Sequence, residues 1–268
     1  MRPQPIPTHR LPILRIWAGT RAGVRLAEAA AARFGDGREG GGLVVVVALA
    51  GAATVPRGCR VDAIGGGPAD LAGAAAAIDA LDPFDRAGVK AVRDAAQAAG
   101  VQHLGFRPPV WHRHPLDRWV EVRDLAGAAG AVASIARTVL LSLPERDLDP
   151  FEAVGGLRFP VRLTRAPVRW DRPERFAPTL CPGPSCREAE IRLLRATGAQ
   201  AVVMRATGAE EDAPLVLAAR SLDLPVVMIR RPTERGEVPA RSVDAALDWV
   251  EAILAGISRR SSDVPAWR

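Results

Sequence analysis

The sequence lacks tyrosine and has a single lysine, Lys90, and aromatic residues account for only 4% of its 268 residues. Arginine therefore supplies almost all of the positive charge, as is typical of a GC-rich coding sequence. The arginines are scattered among acidic residues and are not interleaved with stacking aromatics, so nucleic-acid binding is not expected. The net charge of +6 is explained as well by an anionic small-molecule ligand.

Cysteine and histidine are also scarce. The cysteines, Cys59, Cys181 and Cys186, make no framework of paired disulfides, and no secretory segment opens the chain, so we expect a reducing cytoplasm. Cys181 and Cys186 lack a second Cys or His pair, and His112 and His114 lack a third ligand nearby, so no metal site is predicted. We interpret the two cysteines as structural and the histidines as solvated loop residues.

Long hydrophobic runs are missing as well. The longest apolar run, from Leu43 to Ala50, is far shorter than the ~20 residues that cross a bilayer, so no membrane span is predicted. Hydrophobic residues make up 48% and charged residues 25% of the chain, as in folded globular proteins. We expect a monomer or a weak homodimer.

Short apolar runs alternate with helical patterns along the chain. This alternation predicts an α/β fold with two Rossmann-like lobes, each with a parallel sheet flanked by helices. The predicted strands are 11–17, 43–49, 59–64, 101–106, 138–143, 157–163, 200–205 and 224–229. The predicted helices begin at Arg21 and at about 68, 86, 123, 185, 211 and 242, and the Ala-rich second one spans about 68–77.

The restart of this alternation places the lobe boundary near residue 137. We predict a loose segment over 1–10, an N-terminal Rossmann-like lobe over 11–137 on the cofactor side, a C-terminal α/β lobe over 138–257, and a flexible tail over 258–268.

Ligands of such sheets bind at the carboxyl ends of the strands, so the loops there are candidate sites. Gly19 and Thr20 follow the first strand, where glycine lets a phosphate approach the backbone and the threonine hydroxyl adds a donor; a plain glycine turn capped by Thr20 is an equal alternative. Gly65-Gly66-Gly67 suits a cofactor or a flexible connector.

An acidic loop follows the predicted Ala-rich helix. It contains Asp79, Asp82 and Asp85 with Pro83 and Phe84. A carboxylate there could position a proton or a water, although an ordinary turn or helix start is the favoured interpretation.

Arg205 ends an apolar strand and precedes Ala206, Thr207 and Gly208. Its guanidinium could hold a phosphate or carboxylate through two hydrogen bonds. An exposed arginine without a partner is the alternative.

Taken in order, several motifs resemble the precorrin-6A reductase family from about residue 12 to about residue 256. The most specific is Leu224 to Pro232. The others are Ala18-Gly19-Thr20 followed by Arg25-Leu26-Ala27, Leu49-Ala50-Gly51, Arg107-Pro108-Pro109 with Trp111, Asp117-Arg118-Trp119, and Gly183-Pro184.

The chain departs from the family pattern in several loops. Ala18 replaces a glycine, Ala52 replaces an arginine, and Leu81 and Asp82 replace the threonine and histidine of the family's Asp-Ala-Thr-His-Pro-Phe-Ala motif. The Thr-Gly-Arg loop is matched only by 142–146, and Lys-Asn-Ser by 205–207.

The resemblance implies NADPH-dependent reduction of a corrin-ring precursor, from precorrin-6A to precorrin-6B, in cobalamin biosynthesis. It implies no individual catalytic residue. The implied cofactor-binding residues are Gly19, Thr20, Gly51, Gly66, Asp79, Pro83 and Phe84, and the implied binders of a tetrapyrrole substrate are Arg205, Thr207, Arg230 and Arg231.

Because donors and charges are replaced, two alternatives stay open. One is a non-catalytic relative that binds a nucleotide or a tetrapyrrole. The other is a reductase with a different substrate, since the gain of Asp82 and Asp85 changes the charge of the loop.

Overall fold

A computed structural model of the chain describes residues 11–35, 43–49, 55–62, 71, 73–233 and 238–262, the last five without their side chains. The chain divides into two compact units. Unit 1 extends to Pro109 and resumes at Thr233, and unit 2 is Val110–Pro232. This division differs from the predicted boundary at 137, because the chain leaves unit 1 earlier and returns to it.

Strands and helices alternate through both units. Unit 1 contains β1 Ile13–Ala18, α1 Arg21–Phe34, β2 Val44–Leu49, β3 Arg60–Asp62, β4 Ala74–Ala80, α2 Arg86–Ala98, β5 Gln102–Gly105 and α7 Val243–Ser262. Unit 2 contains β6 Trp119–Val122, α3 Leu125–Ile135, β7 Val139–Ser142, α4 Asp149–Glu152, β8 Phe159–Leu163, β9 Phe176–Leu180, α5 Arg187–Thr197, β10 Ala201–Arg205, α6 Ala213–Ser221 and β11 Val226–Ile229.

The described strands of unit 1 form a parallel sheet in the order β3-β2-β1-β4-β5. The chain runs from β1 outward to β3 on one side and then crosses to β4 and β5 on the other. One face of the sheet packs against α1 and α7 and the other against α2. The fold class predicted from the sequence is confirmed.

The helix predicted over 68–77 is wrong, because residues 74–77 belong to β4, an inner strand of the sheet. Ala76, Ile78 and Ala80 face the core formed with α1 and α7, whereas Ala77 faces α2. Burial on both faces decides the structure here, and it overrides the intrinsic helix preference of alanine.

The described strands of unit 2 form a second parallel sheet in the order β6-β11-β10-β7-β8-β9. Its outer strands β6 and β9 are absent from the sequence prediction. Both are edge strands with partly exposed residues, so they lack the continuous apolar run of a central strand. Helices α5 and α6 cover one face of the sheet.

The chain segment after unit 2 completes unit 1. Ala240 bridges to Phe106 beside β5, where the Arg107 N–H donates to the Ala240 carbonyl at 2.9 Å. Helix α7 then places Leu247 and Val250 in the core of the unit 1 sheet.

Within the described residues, no helix is long and apolar enough to span a membrane, and no group of three or more potential metal ligands occurs.

Candidate functional site

Each sheet has a point where the chain order reverses, and ligands of open α/β sheets bind at the carboxyl ends of the strands there. In unit 1 the reversal lies between β1 and β4, and in unit 2 it lies between β7 and β10. The loops that leave these four strands are therefore the candidate functional sites, and each unit is described separately.

In unit 1 the loops after β1 and β4 are in direct contact. The Gly19 N–H donates to the Ala80 carbonyl at 3.2 Å. A Cβ atom at Gly19 would lie 3.2 Å from the Leu81 Cα and 3.3 Å from the Asp82 nitrogen. Glycine at this position thus lets the two loops approach each other closely.

Thr20 is the N-cap of α1. Its hydroxyl accepts a hydrogen bond from the Gly23 N–H at 3.1 Å and donates to the Ala80 carbonyl at 3.4 Å. The capping interpretation of Thr20 is therefore confirmed. Helix α1 has no acidic residue in its first turn, and the exposed Arg21 begins it, so the charge at this helix end suits an anion.

Asp79 lies under this loop and is fully buried. Its Oδ2 forms an ion pair with Arg107, and its Oδ1 accepts from the Leu81 N–H at 3.0 Å. Arg107 also donates to the backbone carbonyls of Asp79 at 2.8 Å and Phe106 at 3.1 Å. The carboxylate is thus committed to holding the β4 loop and the segment after β5 together.

The rest of the acidic loop forms a turn and a helix start. Asp82 Oδ1 accepts from the Phe84 N–H at 3.0 Å, and Asp85 caps α2 by accepting from the Gly88 N–H at 3.1 Å. The turn interpretation is confirmed for Asp82 and Asp85. Pro83 and Phe84 are half-buried in this turn.

The other two expected cofactor-binding residues, Gly51 and Gly66, lie outside the described residues, as do the loops around them.

In unit 2 a buried ion pair lies at the reversal point of the sheet. Arg205 at the end of β10 pairs with Asp147, which follows β7, and both residues are buried. The interpretation of Arg205 as an exposed arginine without a partner is therefore wrong, because the sequence does not reveal that Asp147 meets it across the sheet.

The remaining predicted substrate residues surround this pair. The Thr207 hydroxyl accepts from the Ala209 N–H at 3.2 Å and lies 3.1 Å from Asp212 Oδ2, while Arg231 donates to the Thr207 carbonyl. Arg230 is exposed, and its Nε lies 3.7 Å from Glu121 Oε2. The structure thus brings Arg205, Thr207 and Arg231 together at one edge of the sheet.

A second buried ion pair at this edge was missed from the sequence. Arg162 on β8 donates to both carboxylate oxygens of Glu190 on α5, at 2.7 to 3.2 Å, and only 5% and 1% of the two side chains are exposed. The sequence signal for this pair was a charged residue within an apolar strand, together with a glutamate on the inward face of a helix. Periodicity alone does not pair such residues.

Asp212 extends this charge network. Its Oδ1 lies 4.0 Å from Arg162 Nη1, and 27% of the side chain is exposed. Burial raises the pKa of this carboxyl above its usual range, and the negative charges of Glu211 and Glu190 act in the same direction against the Thr207 hydrogen bond and the Arg162 charge.

The other singled-out residues lie apart from these edges. His112 and His114 are exposed in a loop, as predicted. All three cysteines are free, and burial raises the pKa of Cys59 to about 11 and that of Cys181 above its usual value. Both thiols are therefore protonated at neutral pH, as expected of unreactive cysteines.

Two parallel sheets, each with polar loops at its reversal point, define a doubly wound α/β protein. A family model described as precorrin-6x reductase CbiJ/CobK matches residues 14–251. The chain belongs to this family of cobalamin biosynthesis, and the resemblance found in its motifs is confirmed.

Individual relatives agree with this assignment. The precorrin-6A reductase of Rhodobacter capsulatus is 35% identical over 186 residues, which cover 66% of this chain and 69% of that protein. The precorrin-6A reductase of Rhodococcus erythropolis is 30% identical over 157 residues, or 59% of this chain and 63% of that protein. A solved structure of CobK precorrin-6A reductase matches with a TM-score of 0.75 at 27% identity, covering 91% of this chain and 98% of that one.

Proposed function

We propose that the protein reduces a corrin-ring precursor of the precorrin-6A type with NADPH. The observation that carries this proposal, beside the family, is the contact between the Gly19 and Ala80 loops at the reversal point of unit 1. That is the edge at which doubly wound sheets hold dinucleotides.

The residues around this edge fit the phosphates of a dinucleotide. The first turn of α1 offers backbone N–H groups and Arg21 without a competing carboxylate, and helix N-termini attract anions. Gly19, Thr20, Pro83 and Phe84 would shape the loops against the cofactor. Asp79 would act indirectly, because its carboxylate holds the Leu81 N–H, and with it the loop after β4, in position.

NADPH supplies the hydride when it is bound, and the protein supplies orientation and charge. In unit 2, Thr207, Arg230 and Arg231 are the proposed contacts for a carboxylate-rich tetrapyrrole. Arg205 forms an ion pair with Asp147. We therefore propose that this pair holds the β7 and β10 loops in place, and that Arg205 contacts the substrate while it remains paired with Asp147.

The first test is a titration of the purified protein with NADPH and with NADH, followed by nicotinamide fluorescence. We expect micromolar binding with preference for NADPH, and loss of NADPH absorbance when precorrin-6A is added. Arg21→Glu should weaken NADPH binding at least ~10-fold, because it places a carboxylate at the helix N-terminus. Arg192→Glu, an exposed reversal of charge on α5 in unit 2, is the matched control.

Absence of turnover at high enzyme concentration would reject the reductase function. The second candidate, a relative that binds a nucleotide or tetrapyrrole without reducing it, is favoured by the commitment of Arg205 and Asp79 to internal ion pairs. It predicts that NADPH or the tetrapyrrole raises the thermal midpoint while no NADPH is consumed.

A further inference from the structure

Reduction of a conjugated double bond by hydride requires a proton as well as a hydride, so the site needs a proton donor. Three carboxyl groups at the reversal edge of unit 2 are buried or mostly buried: Asp147, Glu190 and Asp212. They differ in how the carboxylate oxygens of each group are bound.

Asp147 and Glu190 are committed to arginines. Asp147 forms the ion pair with Arg205, and both oxygens of Glu190 accept from Arg162. Each carboxylate thereby compensates a buried guanidinium, which would be costly to leave without its partner. Both groups therefore serve to hold their arginines.

Asp212 is held differently. Its Oδ2 accepts from the Thr207 hydroxyl at 3.1 Å, which leaves that hydroxyl's oxygen for the Ala209 N–H. Its Oδ1 has no hydrogen-bond donor among the described residues, since Arg162 Nη1 stays 4.0 Å away. One oxygen is thus fixed in place, and the other is available to carry a proton on a side chain that is 27% exposed.

We propose that Asp212 is the catalytic acid that protonates the macrocycle during its reduction. This inference rests on the proposed function. A hydride from NADPH adds to one atom of the reducible double bond, and the electron pair of that bond moves to its other atom. That atom takes the proton as the Oδ1–H bond of Asp212 breaks, leaving NADP+, the reduced macrocycle and the carboxylate, which regains a proton from water.

The surrounding charges support this role. Burial raises the pKa of the Asp212 carboxyl, and Glu211 and Glu190 raise it further, while Arg162 and the Thr207 hydroxyl lower it. The group therefore keeps its proton to higher pH than an ordinary aspartate, as a general acid requires. Activity should consequently decline as the pH rises through this raised pKa.

The test compares kcat as a function of pH for the wild type, Asp212→Asn and Asp171→Asn, an exposed control in unit 2. Loss of a general acid typically costs ~100-fold or more. We expect Asp212→Asn to lose at least ~100-fold in kcat and the decline on the basic side, with an unchanged Kd for NADPH, while Asp171→Asn matches the wild type. Formate should restore activity to Asp212→Ala, increasingly so at lower pH, which a purely structural role would not produce.

Glu211→Gln provides a second arm that leaves Asp212 in place. Removal of this charge lowers the pKa of Asp212, so the basic decline of kcat should move to lower pH. Wild-type kcat in Asp212→Asn, or an unmoved pH profile in Glu211→Gln, would overturn the role of Asp212 while leaving the reductase function intact. An inactive wild type that binds NADPH would instead reject both.

Discussion

At the residue scale, the charges that matter most are paired inside the protein. Arg107 with Asp79, Arg162 with Glu190, and Arg205 with Asp147 are all buried pairs at the carboxyl edges of the two sheets. Such pairs add little net stability compared with apolar packing, but breaking one leaves an uncompensated charge. Their main effect here is to fix the loops that leave β4, β7, β8 and β10.

The Asp79–Arg107 pair allows a direct test of this cost. Arg107→Met should lower the free energy of unfolding by about 3–5 kcal/mol, because the Asp79 carboxylate stays buried without its partner. Lys90→Met removes one half of an exposed ion pair with Asp94 and should change stability by less than ~1 kcal/mol. Urea denaturation measures both. Equal effects of the two substitutions would contradict the role of the buried pair.

His103 on β5 should make stability depend on pH. Burial lowers the pKa of this imidazole from 6.5, and Arg107 and Arg93 lower it further against the opposing charge of Asp79. The folded state thus binds a proton less readily than the unfolded state. Stability should be full above pH ~6.5 and fall as the pH drops toward the lower folded-state pKa.

His103→Gln should flatten the dependence of the thermal midpoint on pH below 6.5. His112→Gln, a change in an exposed loop histidine, is the matched control and should leave the wild-type curve unchanged. The same slope in His103→Gln and the wild type would rule out His103 as the source.

At the element scale, the contact between α1 and β4 depends on Gly23. A Cβ atom there would lie 2.9 Å from both the carbonyl oxygen and the Cβ of Ala80. Gly23→Ala should therefore destabilise the protein, by roughly 1–3 kcal/mol as in overpacked cores. Gly130→Ala in α3 meets nothing within 4 Å and should stabilise by about 0.5–1 kcal/mol, because alanine forms helix better than glycine. Thermal unfolding of the two variants should shift in opposite directions.

The strands show which parts of the fold sequence periodicity predicts and which parts it misses. Continuous Val-rich runs such as Val44–Leu49 and Ala201–Arg205 were predicted to within two residues, because strands buried on both faces need apolar residues throughout. Strand β4 was missed because alanine fills both faces with a residue that also favours helices. Edge strands β6 and β9 were missed because exposure admits polar residues.

The position of the candidate site was predictable from the sequence, but the ion-pair partners of its arginines were not. The turn at Gly19 and the polar residues after β10 follow from where the strands end. The partners of Arg205 and Arg107 are 58 and 28 residues away in the sequence, so only the fold reveals that these cations are already committed. Asp212 was missed for the same reason, since its environment comes from β8, α5 and the loop after β10.

At the scale of the whole molecule, unit 1 depends on a helix that follows unit 2 in the sequence. Val250 in α7 is 1% exposed and packs into the core formed with α1 and the unit 1 sheet. Val250→Asp should place a carboxylate in that core and cost several kcal/mol, roughly 3 or more. Ala252→Asp, on the exposed side of the same helix, is the matched control.

Hydrogen exchange locates this effect. We expect Val250→Asp to reduce the protection of amides in β1, β2 and β4 while β7 and β10 in unit 2 retain theirs, because unit 2 has a separate core. Ala252→Asp should leave both sheets protected. Uniform loss of protection across both units would mean that they unfold as one cooperative block.

The return of the chain to unit 1 after Pro232 also sets an order of events during synthesis. Translation completes all of unit 2 before Ala240 and α7 exist, so one face of the unit 1 sheet leaves the ribosome covered by α1 alone, with the apolar surface that α7 packs against still exposed. Unit 2, second in the sequence, is therefore the first that can reach its native state, and the nascent β1, β2 and β4 remain exposed to chaperones until α7 emerges.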